Sequence, residues 1–246
     1  MSEISLNLPD LGRIFFLATL SFLLAMELTP FWTDILYKNR LGKRIRDTGY
    51  DAEGAPIFYK LHKHKENTPT MGGVLVWISA GVITLILNLD RAGTYLPLFA
   101  LIATGILGAV DDLLNIRGIG PHKGGFRFGH KLLLYLAIAA LGAWWFFFKL
   151  EFSIIHVPGI DNFEIGYWYI PLFILVLVGL AFSVNETDGL DGLAGGTLAI
   201  AYGAYSIIAL SQGKIELSAF CATVAGALLA FLWFNIYPAR FFMGDT

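Results

Sequence analysis

The chain has 246 residues, enough for one or two water-soluble domains, but its composition excludes a soluble globule. Hydrophobic residues make up 56% and charged residues 15%, and the mean hydropathy is +0.65, whereas soluble domains are about 25% charged. The net charge of −2, from 17 Lys and Arg against 19 Asp and Glu, gives no global basic bias, so we expect no nucleic-acid partner. The single cysteine, Cys221, excludes a disulfide framework.

Long apolar runs predict an all-α integral membrane protein, because a membrane span needs roughly 20 mostly apolar residues. Seven candidate spans occur, at about residues 11–30, 71–89, 94–111, 131–149, 167–184, 193–211 and 217–237. The first is the weakest, since Arg13 and Glu27 bracket its apolar run. The sixth is rich in Gly, Ala and Ser, which let helices approach closely in lipid, so we expect it to lie inside the bundle.

Basic residues divide unevenly between the two ends of these spans. Thirteen of the 17 Lys and Arg residues lie in segments 31–70 and 112–131 or after the seventh span. By the positive-inside rule these segments are cytoplasmic and the N-terminus lies outside. Residues 150–166 are then on the outer side, where partial alternation around Pro158 and Gly159 predicts a short periplasmic β-hairpin.

Acidic residues follow three spans that run in the same direction. They are Asp111 and Asp112 after the third span, Asp188 and Asp191 after the fifth, and Asp245 after the seventh. Because these spans all run from outside to inside, we expect the acids and the amides of Asn185 and Asn235 to converge at the cytoplasmic interface. A single acid there is more often a solvated boundary residue. Paired acids beside glycines favour a functional site, since ionisable groups at that depth are costly.

The chemistry of these side chains points to a divalent cation. Hard oxygen ligands without a soft partner suit Mg²⁺, which binds one or two protein carboxylates together with substrate phosphates and water. A second carboxylate near the metal can take a proton from an incoming nucleophile, and nearby lysines can hold phosphate. The sequence therefore predicts metal-assisted chemistry on a phosphate at the inner leaflet.

Four segments that contain or flank these residues also resemble one family. They are TPTMGG at 68–73, DD at 111–112, NETDGLDGLAGG at 185–196, and FLWFN followed by MGDT up to residue 246. In this combination and order they resemble the bacterial phospho-N-acetylmuramoyl-pentapeptide transferases, which belong to the polyprenyl-phosphate N-acetylhexosamine-1-phosphate transferases. The resemblance runs from about residue 60 onward, and more loosely through the first span. TPTMGG points to the muramoyl-pentapeptide branch.

The resemblance implies a reaction and a location. Phospho-MurNAc-pentapeptide would move from UDP-MurNAc-pentapeptide to undecaprenyl phosphate, giving lipid I and UMP, with Mg²⁺ as cofactor, in the first membrane step of peptidoglycan synthesis. The protein would be a multi-pass protein of the bacterial inner membrane, in contact with the lipid bilayer and with its active site on the cytoplasmic face. Its assembly state, a homodimer included, stays open.

The resemblance also implies roles for individual residues. Asp245 looks like the principal Mg²⁺ ligand, and Asn185 like the second ligand or a diphosphate contact through the metal. Asp111 or Asp112 resembles the base that deprotonates the lipid phosphate; the alternative, a carboxylate that attacks first and gives a phospho-enzyme, stays open. The expected substrate contacts are Lys65, Thr70, Lys131, Asp188, Asp191 and Asn235.

Three departures from the family pattern stand out. Asn115 replaces a lysine that usually follows the aspartate pair, and Glu186 replaces an apolar residue. Family members have about ten spans and a later His-rich cytoplasmic loop, whereas this sequence runs to Thr246 with about seven. We therefore treat residues 1–246 as a single integral membrane transferase domain and expect it to be incomplete at its C-terminus.

The sequence leaves three alternatives to the muramoyl-pentapeptide transferase function open. A close alternative is a transferase that uses UDP-GlcNAc. A different class is an ion-coupled membrane transporter, but transporter sites tend to lie near the midplane of repeated halves, and these acids cluster at one interface. A third hypothesis is that the chain is an inactive fragment that kept only part of the fold.

Overall fold

The computed structural model describes residues 8–39, 41–42, 68–90, 93–120, 125–157, 159, 161–188 and 190–245. Seven α-helices and one β-hairpin occupy this part of the chain. The helices are α1 (Leu8–Lys38), α2 (Gly73–Leu87), α3 (Tyr95–Ile116), α4 (Phe128–Trp144), α5 (Tyr169–Thr187), α6 (Leu193–Ser211) and α7 (Ile215–Asn235). A π-helical turn, Trp145–Lys149, continues α4, and a 3₁₀ turn, Gly166–Trp168, precedes α5.

Six of these helices are long and apolar enough to cross a membrane, namely all except α2. The protein is therefore a polytopic helical membrane protein, as the composition predicts. The helix in the second predicted span has only 15 residues, fewer than the roughly 20 that a perpendicular crossing requires. It begins at Gly73 because residues 69–72 make hydrogen bonds to other segments, and its last turn closes with the Asn88 N–H donating to Thr84 O.

The centre of the bundle is α7 rather than α6, so the prediction for the sixth span is wrong. In the most apolar stretch of α7, 61% of the residues are buried, against 22% in α6 and none in α5. α7 contacts α1, α2 and α6. It is apolar on all sides, as expected of a helix surrounded by other helices.

Small and polar residues join α7 to α1 and α6, the two helices with which it makes the most extensive contacts. A Cβ at Gly226 would overlap the main-chain carbonyl of Ala18, so α1 and α7 approach closely where no side chain intervenes. On the other side, the hydroxyls of Ser206 in α6 and Ser218 in α7 lie 3.1 Å apart, and each also donates to the other residue's carbonyl oxygen. Close approach at a glycine and hydrogen bonds between helices are both typical of helix packing in membranes, where they take the place of the hydrophobic effect.

Arg13, one of the two charged residues that weaken the first predicted span, has hydrogen-bond partners at the end of the bundle. Arg13 Nη2 donates to Asn88 Oδ1 at 3.0 Å, and Asn88 Nδ2 donates to the carbonyl oxygen of Glu216 at 2.9 Å. This chain of contacts ties together α1, the end of α2 and the start of α7. The arginine is thereby compatible with a 31-residue helix.

The predicted hairpin is confirmed. β1 (Ile154–Val157) pairs antiparallel with β2 (Asp161–Glu164), with Ile155 opposite Phe163 and Val157 opposite Asp161. Gly159 in the turn has a φ of +83°, a left-handed conformation that glycine adopts without steric cost.

Candidate active site

The glycine-rich segment before α2 binds the segment that follows α7. Gly72 N–H donates to Phe242 O at 2.8 Å, Gly73 N–H donates to Met243 O at 2.9 Å, and Phe242 N–H donates to Pro69 O at 2.8 Å. Trp32 Nε1 adds a hydrogen bond from α1 to Met71 O. Two stretches that are far apart in the sequence therefore run side by side and fix the start of the Gly244–Asp245 dipeptide.

Gly72 is required for this close approach. A Cβ at this position would lie 2.5 Å from the ring of Phe241, and 2.7 Å from both the ring of Phe231 and the carbonyl oxygen of Phe242. Those distances are below any normal carbon contact, so a side chain would separate the two segments. Packing against the segment after α7 therefore requires a glycine at position 72, the first of the pair in TPTMGG.

Two carboxylates from different helices hold the main chain of Gly244 and Asp245. Gly244 N–H donates to Asp188 Oδ2 at 3.1 Å, and Asp245 N–H donates to Asp112 Oδ2 at 3.0 Å. Gly244 has a φ of +83°, which a residue with a side chain would adopt only with strain. The last acid of the sequence is therefore placed between the C-terminal ends of α3 and α5.

The side chain of Asp245 lies in a network of charged and amide groups. Asn185 Nδ2 donates to Asp245 Oδ1 at 2.7 Å, and Lys131 Nζ donates to Asp245 Oδ2 at 2.9 Å. Lys131 also donates to Asp111 Oδ2 at 3.1 Å, while Asp111 Oδ1 accepts a hydrogen bond from Phe126 N–H at 2.6 Å. The exposed fractions of the Asp111, Lys131 and Asp245 side chains are 7%, 13% and 17%, so Asp245 is the most open of the three.

A second group of contacts joins the loops on either side of the site. Asn235, which is 1% exposed, accepts a hydrogen bond from Gly192 N–H through Oδ1 and donates through Nδ2 to Phe241 O. Asp191 Oδ2 accepts a hydrogen bond from Ala239 N–H at 3.2 Å. These contacts fix the segment between α7 and Asp245 against the start of α6.

The structure brings most of the sequence-predicted site residues together. The hydrogen bonds given above join Asp111, Asp112, Lys131, Asn185 and Asp245, and Asp188 is tied to the same segment through Gly244 N–H. Thr70 is buried beside Gly244, and within the described residues its hydroxyl has no hydrogen-bond partner. Asp191 and Asn235 contact the flanking loops, and Lys65 lies outside the described residues.

Sequence reasoning missed the main-chain contacts of the site. The Phe126 N–H that binds Asp111 and the glycine that fits against Asp112 carry no charge, so a search for acids and lysines passes over them. The glycine that precedes Asp245 in MGDT is the feature of the sequence that could have indicated a close main-chain contact at this site. Of the two residues that depart from the family pattern, Asn115 is half-buried in the last turn of α3 and Glu186 is exposed on α5.

The chemistry of the donors fits a hard divalent cation. Within the part of the chain that is described, no three His, Cys, Asp or Glu side chains are grouped as a complete metal cage. Asp245 and Asn185 are in contact and both carry hard oxygen atoms, and Asp111 is linked to them through Lys131. An ion that takes few protein ligands and completes its shell with phosphate and water, as Mg²⁺ does, suits such a set.

The fold and the site define a class: a multi-pass helical membrane protein with carboxylates, an amide and a lysine gathered at the ends of three helices. The chain belongs to glycosyl transferase family 4, whose sequence model matches residues 94–246. Residues 65–75 match signature 1 of the phospho-N-acetylmuramoyl-pentapeptide-transferases.

Individual relatives agree with this assignment. The chain is 37% identical over 244 residues to the phospho-N-acetylmuramoyl-pentapeptide-transferase of Chloroflexus aggregans. The aligned region covers 96% of this chain and 64% of that relative. It is 39% identical over 236 residues to the enzyme of the same name from a Geobacillus species, covering 92% of this chain and 68% of the relative. The chain thus spans about two thirds of the length of these relatives.

Proposed function

We propose that this chain belongs to a transferase that moves phospho-MurNAc-pentapeptide from UDP-MurNAc-pentapeptide to undecaprenyl phosphate. The products are lipid I and UMP, and the reaction is the first membrane step of peptidoglycan synthesis. The observation that carries the proposal is the contact of Lys131 with Asp111 and Asp245. It places two carboxylates and an ammonium within one hydrogen-bonded group at the ends of membrane helices, where a soluble nucleotide and a lipid phosphate can meet.

The reaction needs a nucleophile, an electrophilic phosphorus and a leaving group. An oxygen of the lipid phosphate attacks the phosphorus that carries the sugar, a new P–O bond forms, and the bond to the UMP oxygen breaks. Such a transfer depends mainly on positioning and on charge neutralisation. A carboxylate beside the nucleophile can accept the proton of the lipid phosphate, and Asp111 is placed for this role because it contacts the same lysine as Asp245.

Lys131 supplies a positive charge to the phosphates. Its ammonium is held by two carboxylates in a partly buried position, and charge-assisted contacts of this kind are short and strong. A fixed cation at the point where negative charge develops lowers the barrier without further reorganisation. We assign Lys131 to the diphosphate or the lipid phosphate.

We assign Asp245 and Asn185 as the residues that would hold Mg²⁺. The ion, when bound, supplies Lewis-acid stabilisation of the phosphoryl oxygens. Asp188 and Asp112 fix the main chain of the segment that bears Asp245. Lys65, Thr70 and Asp191 remain proposed substrate contacts. Asn235 is assigned to positioning instead, because both of its polar atoms bind main-chain groups in the interior.

The location follows from the charge distribution. Thirteen of the 17 basic residues lie in the segments at the same helix ends as the site, and the positive-inside rule makes that side cytoplasmic. We therefore propose a multi-pass protein of the bacterial inner membrane with the active site on the cytoplasmic face, where a nucleotide sugar is available.

A transferase that uses UDP-GlcNAc is the competing function. The match of residues 65–75 to the muramoyl-pentapeptide signature supports the first donor. Competition separates the two: the complete gene product, in membranes with undecaprenyl phosphate and labelled UDP-MurNAc-pentapeptide, should form labelled lipid I that excess UDP-GlcNAc does not suppress. Suppression by UDP-GlcNAc, together with transfer of GlcNAc-1-phosphate, would reverse the assignment.

A further inference from the structure

Asp111 and Asp112 are adjacent in sequence but accept hydrogen bonds from different groups. Successive residues of an α-helix point about 100° apart, so the two carboxylates face different groups. Asp111 binds the ammonium of Lys131 and the N–H of Phe126. Asp112 accepts a hydrogen bond from the main-chain N–H of Asp245 at 3.0 Å.

The Asp112 oxygen that accepts the hydrogen bond from Asp245 is enclosed by the chain itself. Asp112 is 2% exposed, against 5% for Asp111. Gly244 lies against its carboxylate so closely that a Cβ on this glycine would overlap Oδ2, and the same Cβ would be 2.6 Å from Thr70 Oγ1. The space beside the carboxylate is therefore filled by the chain itself.

The carboxylate of Asp112 instead belongs to a pair that fixes one dipeptide. Asp188 binds the N–H of Gly244 from the end of α5, and Asp112 binds the N–H of Asp245 from the end of α3. Buried main-chain N–H groups require an acceptor, and a carboxylate is the stronger kind. These two contacts fix the main chain that bears the Asp245 side chain.

We propose that Asp112 is a positioning residue that sets the main chain at Asp245, and that it does not receive the proton of the lipid phosphate. The inference rests on the proposed function and divides the work of the aspartate pair. Asp112 needs only an oxygen that accepts a hydrogen bond, whereas a proton acceptor needs a carboxylate.

The substitutions Asp112→Asn and Asp112→Ala separate these two needs in the complete gene product. The Asn side chain keeps an acceptor oxygen, so kcat for UMP release should fall by less than about tenfold, the range of one ordinary hydrogen bond. The Ala side chain keeps none, and kcat should fall about 100-fold because a small misplacement of a reacting group has that effect. Asp111→Asn should lower kcat by about 10²–10⁴-fold, as loss of a general base does.

A measurement independent of turnover uses Mn²⁺ as the metal probe, with its binding followed by electron paramagnetic resonance. Asp112→Ala should weaken Mn²⁺ binding because Asp245 is released, and Asp112→Asn should leave the dissociation constant close to that of the wild type. Gly244→Ala disturbs the same contact from the other side and should behave like Asp112→Ala. Glu164→Gln, which removes a charge from the exposed hairpin, serves as the control, and thermal midpoints report whether each variant folds.

Two results would overturn the proposal. One is an Asp112→Asn protein that folds and binds Mn²⁺ normally but loses as much turnover as Asp111→Asn, because a carboxylate would then be essential at position 112. The other is an Asp112→Ala protein with wild-type turnover and wild-type Mn²⁺ affinity. If the wild type itself releases no UMP, the proposed function fails, and the Mn²⁺ affinities of the two Asp112 variants still decide the positioning role.

Discussion

Lys131 Nζ lies 2.9 Å from Asp245 Oδ2, although the two residues are 114 positions apart in the sequence. The same ammonium is 3.1 Å from Asp111 Oδ2. One cation therefore lies between a carboxylate near the end of α3 and a carboxylate in the segment that follows α7. In such a group the lysine offsets the repulsion between the acids, and its contact with Asp245 Oδ2 would compete with a divalent cation for that oxygen.

This arrangement gives opposite expectations for metal binding and for turnover. Lys131→Met keeps most of the length of the side chain and removes the charge. We expect Mn²⁺ to bind more tightly, because a competing cation is gone, while UMP release falls by about 10²–10³-fold, the usual effect of losing one group that stabilises transition-state charge. Titration by electron paramagnetic resonance and a turnover assay on the same preparation test both parts.

Lys149→Met is the matched control, since Lys149 is exposed at the other end of the same continuous helical segment. It should change neither quantity. Weaker Mn²⁺ binding in Lys131→Met would show that the lysine supports the cation site rather than competes with a bound metal.

The contacts of Asn235 predict a stability defect. Asn235→Ala leaves the N–H of Gly192 and the carbonyl of Phe241 without their side-chain partner, and an unsatisfied buried polar group costs about 1–3 kcal/mol. The free energy of unfolding in mixed detergent micelles should fall by that amount. Asn39→Ala, at an exposed site whose side chain, within the described residues, donates to Ile35 O one turn earlier, should change it by less than about 0.5 kcal/mol. Equal unfolding free energies for the two variants would argue against a positioning role.

The crossing of α1 and α7 predicts a second stability effect. Gly226→Ala inserts a methyl group against the carbonyl of Ala18, and overpacking of this kind costs about 1–3 kcal/mol. The thermal midpoint in detergent should fall. Gly203→Ala, in α6, is the control because, apart from its own stretch of helix, no heavy atom of the described residues lies within 4 Å of its Cβ position, so it should leave the midpoint unchanged or raise it. A midpoint for Gly226→Ala at or above that of the wild type would contradict the close helix approach.

The sequence allowed the convergence of the acids to be predicted because topology alone sets it. Asp111, Asp188 and Asp245 follow spans that run in the same direction, so helix direction places them at one face without any knowledge of packing. The hairpin could be predicted for a different and local reason, since alternation and a glycine turn determine it.

Features that depend on which helices touch could not be read from the sequence. The small residues of α6 indicate that close packing is possible there, but they do not say that α7 takes the central position. The hydrogen bonds between residues 69–73 and 242–243 join segments with no charge pattern. The burial of Asn235 is of the same kind, since an amide at the end of a span can face either a substrate or a main-chain group.

The most direct test of the account is UMP release by the complete gene product, reconstituted with undecaprenyl phosphate and UDP-MurNAc-pentapeptide, with and without Mg²⁺. We predict release that requires both the lipid phosphate and the metal, and a loss of at least about 100-fold in Asp245→Asn, because the proposed metal ligand is gone. Unchanged turnover in Asp245→Asn, or repeated turnover to UMP without the lipid phosphate, would contradict the assignment of this site.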